Sequence, residues 1–345
     1  MTKGNKSVLG FILVIFILLA FYLYAREQPP PVKTVLYKNH IISLLFDGSV
    51  EALRLSDWQI DRRFTSALQK NNPDLLCSDS KYLGMVNNSA AYIWSDDEFR
   101  WRKIALIQRS NKNILDIFLF NQRLFIIYPK EIIDMLKNKV YKVPELRGLG
   151  DRDYLRLQAV HAGKDSIWFG TGQGEWGGHL LRLEVETGEW WQSYNPFQYV
   201  NSITEDREGT IWVARAMSHF GAESSLSPFG NPNKKGGFWK DRYLQVIVYS
   251  KFDDCLYGID GNQLVKFQGG VFEPIIDLGK IRYERNSYAV GVLPAIDDLL
   301  IVGKDVFLIP HKKDGLLLYD RGNIRKLGQT KSFPYWLYLR YKEFR

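Results

Sequence analysis

Beyond residue 33 the sequence repeats one pattern, a polar bend followed by a short apolar run rich in Val, Ile, Leu, Phe, Tyr and Trp. Short β-branched and aromatic runs bounded by Asp, Asn and Gly predict strands joined by turns. The pattern is plainest in Ala162–Gly170 (AGKDSIWFG), Glu205–Val213 (EDREGTIWV), Lys251–Gly258 (KFDDCLYG) and Ala295–Gly303 (AIDDLLIVG). Their central positions Trp168, Trp212, Tyr257 and Ile301 are spaced 44, 45 and 44 residues apart. Toward the N-terminus, Leu124–Ile127, Tyr92–Trp94 and the stretch opening at Asp47-Gly48-Ser49-Val50 extend the series to seven units, over residues 33 to about 330. A period of roughly 40 to 50 residues built of short strands and turns is the mark of a propeller blade. The sequence therefore predicts an all-β fold, a seven-bladed β-propeller of four-stranded antiparallel blades.

Two units can be read strand by strand. The fourth gives Leu155–His161, Ser166–Thr171, His179–Glu184 and Trp190–Tyr194, with Thr187-Gly188 as its last turn. The fifth gives Tyr199–Thr204 and Thr210–Arg215 around the bend Asp206–Gly209. Ala216–Asp241, rich in Gly and Pro, then reads as a long insertion loop, a length that usually signals function. Tyr243–Ser250 divides between an outer strand and the entry to the next unit. Helical spacing is almost absent after Ala25, and Phe64–Lys70 and Ile132–Lys137 read as short turns between strands.

The opening of the chain is different. Val8–Ala25 carries no charge over 18 residues. As a helix it would span about 27 Å, close to the hydrocarbon core of a bilayer. Lys3 and Lys6 precede it, and Tyr22 and Tyr24 stand at its far end as interfacial aromatics. The expected organisation is a cytoplasmic tail (1–7), a transmembrane signal-anchor helix (8–25), a Pro-rich linker (26–32) and a propeller domain with a C-terminal tail (33–345). Positive-inside logic places the anchor in the inner (plasma) membrane, N-terminus cytoplasmic, with the propeller in the periplasm or outside the cell. Leu23 fits poorly at the position a signal peptidase reads, which favours an uncleaved anchor.

Composition narrows the function classes. The net charge is +8, but no run of five like charges occurs, so the sequence lacks the basic stripe of a nucleic-acid-binding protein. Cys77 and Cys255 are the two cysteines, with no CxxC or Cys/His grouping, which argues against a zinc or redox site. There is no phosphate-binding loop, dinucleotide fingerprint or nucleophile elbow, and neither cofactor nor metal is expected.

Ile203–Ala214, ITEDREGTIWVA, resembles the two-component-regulator propeller repeat, whose core runs I-x-E-D-x-x-G-x-I-W-V-G-T. The fourth unit is similar in its second half, through Ile167-Trp168-Phe169-Gly170-Thr171, then Gly177-Gly178 and Leu180. The resemblance is close in two units of seven and implies a seven-bladed propeller used as an extracytoplasmic sensing or binding domain. No kinase or output segment is expected in the chain, which stops at Arg345. The Asp, Gly and Trp order of the bend is also similar to the sialidase Asp-box, a structural turn. A WD40 reading is weaker, because no Gly-His or Trp-Asp pair recurs at blade spacing.

The residues with most chemical promise lie in two segments read as loops of adjacent blades. Glu175 and Trp176 belong to the first, and Arg215, His219, Phe220, Asn231, Lys234 and Trp239 to the second. Aromatic faces beside Arg, Lys and Asn suit a sugar, a peptide or an anionic group. These eight are the candidate contacts for a protein partner or small ligand on a loop-rich face, with the membrane held through the N-terminal helix. The bend residues Asp165, Asp206, Asp253 and Asp297 are expected to cap their own turns rather than to act as acids. Two other readings stay open: a propeller hydrolase or lyase acting on a glycan, and a structural component of an envelope complex, for which the aromatic tail Phe333–Leu339 is the candidate contact.

Overall fold

The computed structural model of the chain describes residues 31–45, 47–79, 81–107, 114–145, 157–172, 177–195, 198–217, 223–240, 242–261, 263–278, 298–311 and 315–327. They form seven separate antiparallel sheets, each built from consecutive strands. Blade 1 holds β1 (Pro31–Tyr37), β2 (His40–Leu45) and β3 (Val50–Arg54). Blade 2 holds β4 (Leu75–Ser78), β5 (Leu83–Val86), β6 (Ala90–Ser95) and β7 (Arg100–Leu106). Blade 3 holds β8 (Asp116–Phe120), β9 (Arg123–Tyr128), β10 (Glu131–Asp134) and β11 (Lys139–Lys142). Blade 4 holds β12 (Leu157–Ala162), β13 (Ser166–Thr171), β14 (Gly178–Glu184) and β15 (Trp190–Asn195). Blade 5 holds β16 (Tyr199–Glu205), β17 (Ile211–Met217), β18 (Glu223–Phe229) and β19 (Gly237–Lys240). Blade 6 holds β20 (Leu244–Ser250), β21 (Cys255–Asp260), β22 (Gln263–Gln268) and β23 (Val271–Asp277). Blade 7 holds β24 (Leu300–Gly303), β25 (Val306–His311), β26 (Gly315–Asp320) and β27 (Asn323–Leu327).

The first strand of each blade is innermost: β1 packs on β4, β4 on β8, β12 on β16 and β16 on β20. Strands buried on both faces read as apolar runs, as in Leu124–Tyr128 (LFIIY) of β9. Neighbouring blades share hydrophobic clusters, and the ring closes through one of them. Ile41 of blade 1 packs with Leu308, Leu316, Leu318 and Leu327 of blade 7. Closure is by face-to-face packing, and among the described residues no strand crosses from the last sheet into the first.

The fold is the one expected, with four corrections of detail. Blade 1 has three strands, and helix α1 (Arg62–Gln69) stands where a fourth would lie, at a segment read as a turn. Phe64, Ala67 and Leu68 form its buried face, and Asp61 caps its start by accepting the Phe64 N–H at 2.9 Å. The helix satisfies the free edge of β3 with side chains. Thr65 Oγ1 accepts the Ala52 N–H at 2.9 Å, and Gln69 Oε1 accepts the Val50 N–H at 2.7 Å. Second, Ile132–Lys137 opens in strand β10, where Ile132 is fully buried, before it turns.

Third, Ala216–Asp241 is not one long loop. It completes β17 and supplies β18 and β19. ESSLSPF of β18 reads as polar because Ser224, Ser225 and Ser227 bond inward: Ser224 Oγ donates to the Arg242 carbonyl and accepts the Leu244 N–H, both at 2.8 Å. Pro228 is tolerated because the β18–β19 ladder ends at Leu226↔Gly237, so no partner awaits its missing N–H. Fourth, Ile301 lies in β24, the first strand of its blade, and Trp94 in β6, the third of its own, whereas Trp168, Trp212 and Tyr257 lie in second strands. In blade 7 the buried counterpart is Phe307, 4.7 Å from Tyr257 ring to ring.

The apolar run Val8–Ala25 and the aromatic tail Phe333–Leu339 lie outside the described residues. Within them no helix is long and apolar enough to cross a membrane.

Candidate ligand-binding cleft

In a four-stranded antiparallel blade the first and last hairpin turns open at one end of the ring. The middle turn and the blade-to-blade connections open at the other. At the hairpin end of blade 5 the bend Asp206–Gly209 joins β16 to β17. Asp206 Oδ1 accepts the N–H groups of Glu208 and Thr210, each at 2.9 Å, and its Oδ2 accepts Trp212 Nε1 at 2.8 Å. Gly209 takes φ +81°, the left-handed conformation that lets the turn close. Asp206 is thus spent on its turn and on orienting Trp212, as expected for a capping residue.

Trp212 faces blade 6 and meets Phe267 edge-on with centroids 5.6 Å apart. Beside them the two blades leave a cleft of about 520 Å³. Trp212, Leu256 and Phe267 line its apolar part; Asn233, Lys234, Lys235, Tyr249 and Asp254 line its polar part; Gly236, Gly269 and Gly270 offer bare backbone. That volume and that mixture of apolar wall with a few polar groups suit a small organic ligand or a short peptide segment. Lys234 Nζ lies 3.3 Å from Glu208 Oε2 and 3.8 Å from Asp206 Oδ2. Asn231 Nδ2 donates to Glu208 Oε2 at 3.1 Å, which ties the β18–β19 loop to the bend. Across the cleft the Tyr249 hydroxyl donates to Asp254 Oδ1 at 2.6 Å. Burial, followed by that bond to a carboxylate, pushes Tyr249 up to about 12, so it remains a neutral donor at physiological pH.

The structure divides the residues that the sequence groups together. Asn231 and Lys234 are at the hairpin end on the side of blade 6. Trp239 lies under them in β19, packed on Phe267 and Phe272 at 6.1 and 4.8 Å. Arg215 sits near the opposite end of blade 5 on the face toward blade 4, with Nη1 3.4 Å from Ser227 Oγ and its guanidinium 5.7 Å from the Phe229 ring. Burial alone pulls its pKa down. Glu175, Trp176, His219 and Phe220 lie outside the described residues. Tyr249, Asp254 and the Gly269-Gly270 turn also line the cleft, and of these only Asp254 falls in a repeat bend of the sequence, Lys251–Asp254. The missing link was adjacency: blade 6 turns meet the blade 5 loop only because consecutive blades pack face to face. Among the described residues no group of three His, Cys, Asp or Glu side chains is placed to hold a metal ion.

No protein-family pattern matches the sequence, and no curated protein sequence matches it. Solved structures match in fold. The chain is similar to the extracellular domain of the putative one component system BT4673 from B. thetaiotaomicron, with TM-score 0.54 and 14% identity over 86% of this chain. It spans only 38% of the length of that domain. It is also similar to YCF48 from Cyanidioschyzon merolae, with TM-score 0.57, 11% identity, and 86% and 98% of the two chains covered. The RRP9 WD40 repeats match with TM-score 0.55, 12% identity, and 83% and 88% coverage. At such identities the likeness is one of architecture, and function is argued from the site.

Proposed function

We propose that this propeller is an extracytoplasmic, membrane-tethered binding module that captures a small ligand or protein partner in a sensing or scaffold role. The observation that carries the proposal is the cleft of about 520 Å³ between blades 5 and 6, apolar within and ringed by Lys234, Lys235, Asn233 and Tyr249. Its groups are suited to holding rather than to transforming a ligand. Asp206 has both carboxylate oxygens engaged by its own turn and strand, and Asp254 accepts the Tyr249 hydroxyl. Two further observations support the setting: the uncharged 18-residue run Val8–Ala25, and the fold shared with the extracellular domain of the one component system BT4673.

Site-specific photocrosslinking of the full chain in its native membrane tests the reading. A photoreactive residue at Asn233 or Lys235 should give a discrete adduct, and one at Lys103, exposed on the outermost strand of blade 2, should not. Equal labelling at all three positions, or none at the cleft, contradicts it.

A further inference from the structure

The opposite wall of blade 5 carries a second feature that the cleft does not use. Arg215 of β17 is paired with Val200 of β16 and Ser225 of β18, and Ser225 is paired with Phe238 of β19. Side chains of directly paired residues stand on the same face of a sheet. Arg215, Ser225 and Phe238 therefore share the wall turned toward blade 4, with Ser227 and Phe229 further along it. Blade 4 answers with Trp168 and Trp191, each 6.2 Å from the Phe229 ring. Phe238 and Trp191 are large aromatics left 55% and 39% exposed at the rim.

Beneath that rim the polar groups are incomplete. Arg215 is only 7% exposed, and among the described residues no carboxylate pairs with it. Its Nε is buried without an acceptor. Gln198 is 5% exposed; its Oε1 accepts Ser225 Oγ at 2.7 Å, and its Nε2 is likewise buried without an acceptor. A buried donor left unmade costs its full desolvation penalty, and a buried guanidinium without a counter-charge costs more. The two donors sit beside neighbouring inward-facing serines of β18, Arg215 at Ser227 and Gln198 at Ser225, and call for an acceptor from outside the chain.

We propose that the seam between blades 4 and 5 binds a carboxylate carried by an apolar or aromatic group, with Arg215 and Gln198 as its donors and the exposed Phe238 and Trp191 along its rim. The guanidinium fork matches the two oxygens of a carboxylate. A single buried cation balances a monoanion, whereas a phosphate dianion would bring an unpaired charge into the interface. The carboxylate belongs either to a free small acid or to the end of a peptide chain. The proposal is independent of the blade 5–6 cleft, so each can fail without the other.

The test uses the full chain in detergent, titrated with N-acetylphenylalanine, its amide, and the tripeptide Gly-Gly-Phe with a free C-terminus, read by tryptophan fluorescence and calorimetry. The acid or the tripeptide should bind saturably, and the amide at least tenfold more weakly. Tighter binding of the tripeptide marks a chain end as the source, and tighter binding of the acid marks a free metabolite. Arg215→Met should abolish binding while leaving Tm unchanged or raised, because it removes an uncompensated buried charge. Arg215→Lys, which keeps the charge but loses the fork, should weaken binding at least tenfold. Equal affinity for acid and amide, no saturable binding of either carboxylate, or a marked fall in Tm for Arg215→Met overturns the proposal.

Discussion

Tyr37 donates its hydroxyl to both carboxylate oxygens of Asp96, at 2.8 and 2.7 Å, and so ties the innermost strand of blade 1 to the β6–β7 turn of blade 2. Lys38 Nζ and Trp94 Nε1 also bond to Asp96, at 2.6 and 3.2 Å, so one carboxylate gathers three donors at the blade interface. Bonds to a charged group contribute about 1.5–3 kcal/mol. Tyr37→Phe should therefore lower the stability of the chain by about 2 kcal/mol, measured by urea unfolding at pH 7. Burial by itself would raise the Asp96 carboxyl, but the bonds from Lys38 and Tyr37 outweigh it and hold it below the usual range. A carboxyl depressed in the folded state contributes stability that is present above its unfolded value, about 3.9, and is lost as pH falls through the lower folded one. The gap between wild type and Tyr37→Phe should shrink on acidification below about pH 4. A gap that stays constant to pH 2 would separate Tyr37 from the Asp96 charge.

Blades 3 and 4 are joined by a different device. Arg123, itself buried, bonds the fully buried Asp134 at 2.9 Å and reaches Glu186 in the β14–β15 turn at 3.1 Å. Removal of one partner of a buried pair strands the other charge, at a cost of about 3–5 kcal/mol. Arg123→Met should fall in that range. Glu186 is 76% exposed, and an exposed ion pair contributes about 0–1 kcal/mol, so Glu186→Gln should be nearly silent. Chemical denaturation of the two variants checks the ranking, and a larger loss for Glu186→Gln would reverse it.

The helix that stands in for the fourth strand of blade 1 makes its own prediction. Thr65→Val and Gln69→Leu keep side-chain volume but remove the acceptors for the Ala52 and Val50 N–H groups. Each should cost about 1–3 kcal/mol, the penalty of an unsatisfied backbone donor. Hydrogen exchange at Ala52 and Val50 should accelerate while the amides of β9 stay protected. Uniform acceleration through the ring would mean that the helix supports the whole fold rather than this edge.

What the sequence discloses follows from where strands face. Blades 4 to 6 were legible because Trp168, Trp212 and Tyr257 occupy equivalent second strands. In blade 7 the 44-residue step lands on Ile301, one strand too early. Strand β18 was hidden because its serines bond within the protein, Ser224 to backbone and Ser225 and Ser227 to the side chains of Gln198 and Arg215, so polarity there signals neither a loop nor solvent. Helix α1, at eight residues, is too short for its Phe64-Ala67-Leu68 spacing to stand out. Of the candidate site, Lys234 and Asn231 were legible as a basic, polar loop. Their blade 6 neighbours Tyr249 and Asp254 were not, because no local pattern encodes which turns the ring brings together.

Gly170 tests how tightly blades 4 and 5 are pressed together. A Cβ at this position would sit 2.7 Å from Val200 Cβ and closer still to its Cγ1, with Ala159 Cβ at 3.3 Å. The overlap is with a β-branched side chain on a strand, which cannot swing aside. Gly170→Ala should therefore destabilise the chain by about 1–3 kcal/mol through overpacking, despite the gain of a residue that stiffens the unfolded chain. Val200→Ala opens the space that the new methyl needs. The double variant should be less destabilised than the sum of the two single changes by about 1 kcal/mol or more, as expected of residues in direct contact. Strict additivity in a double-mutant cycle would show that Gly170 is required for its backbone and not for the approach of Val200.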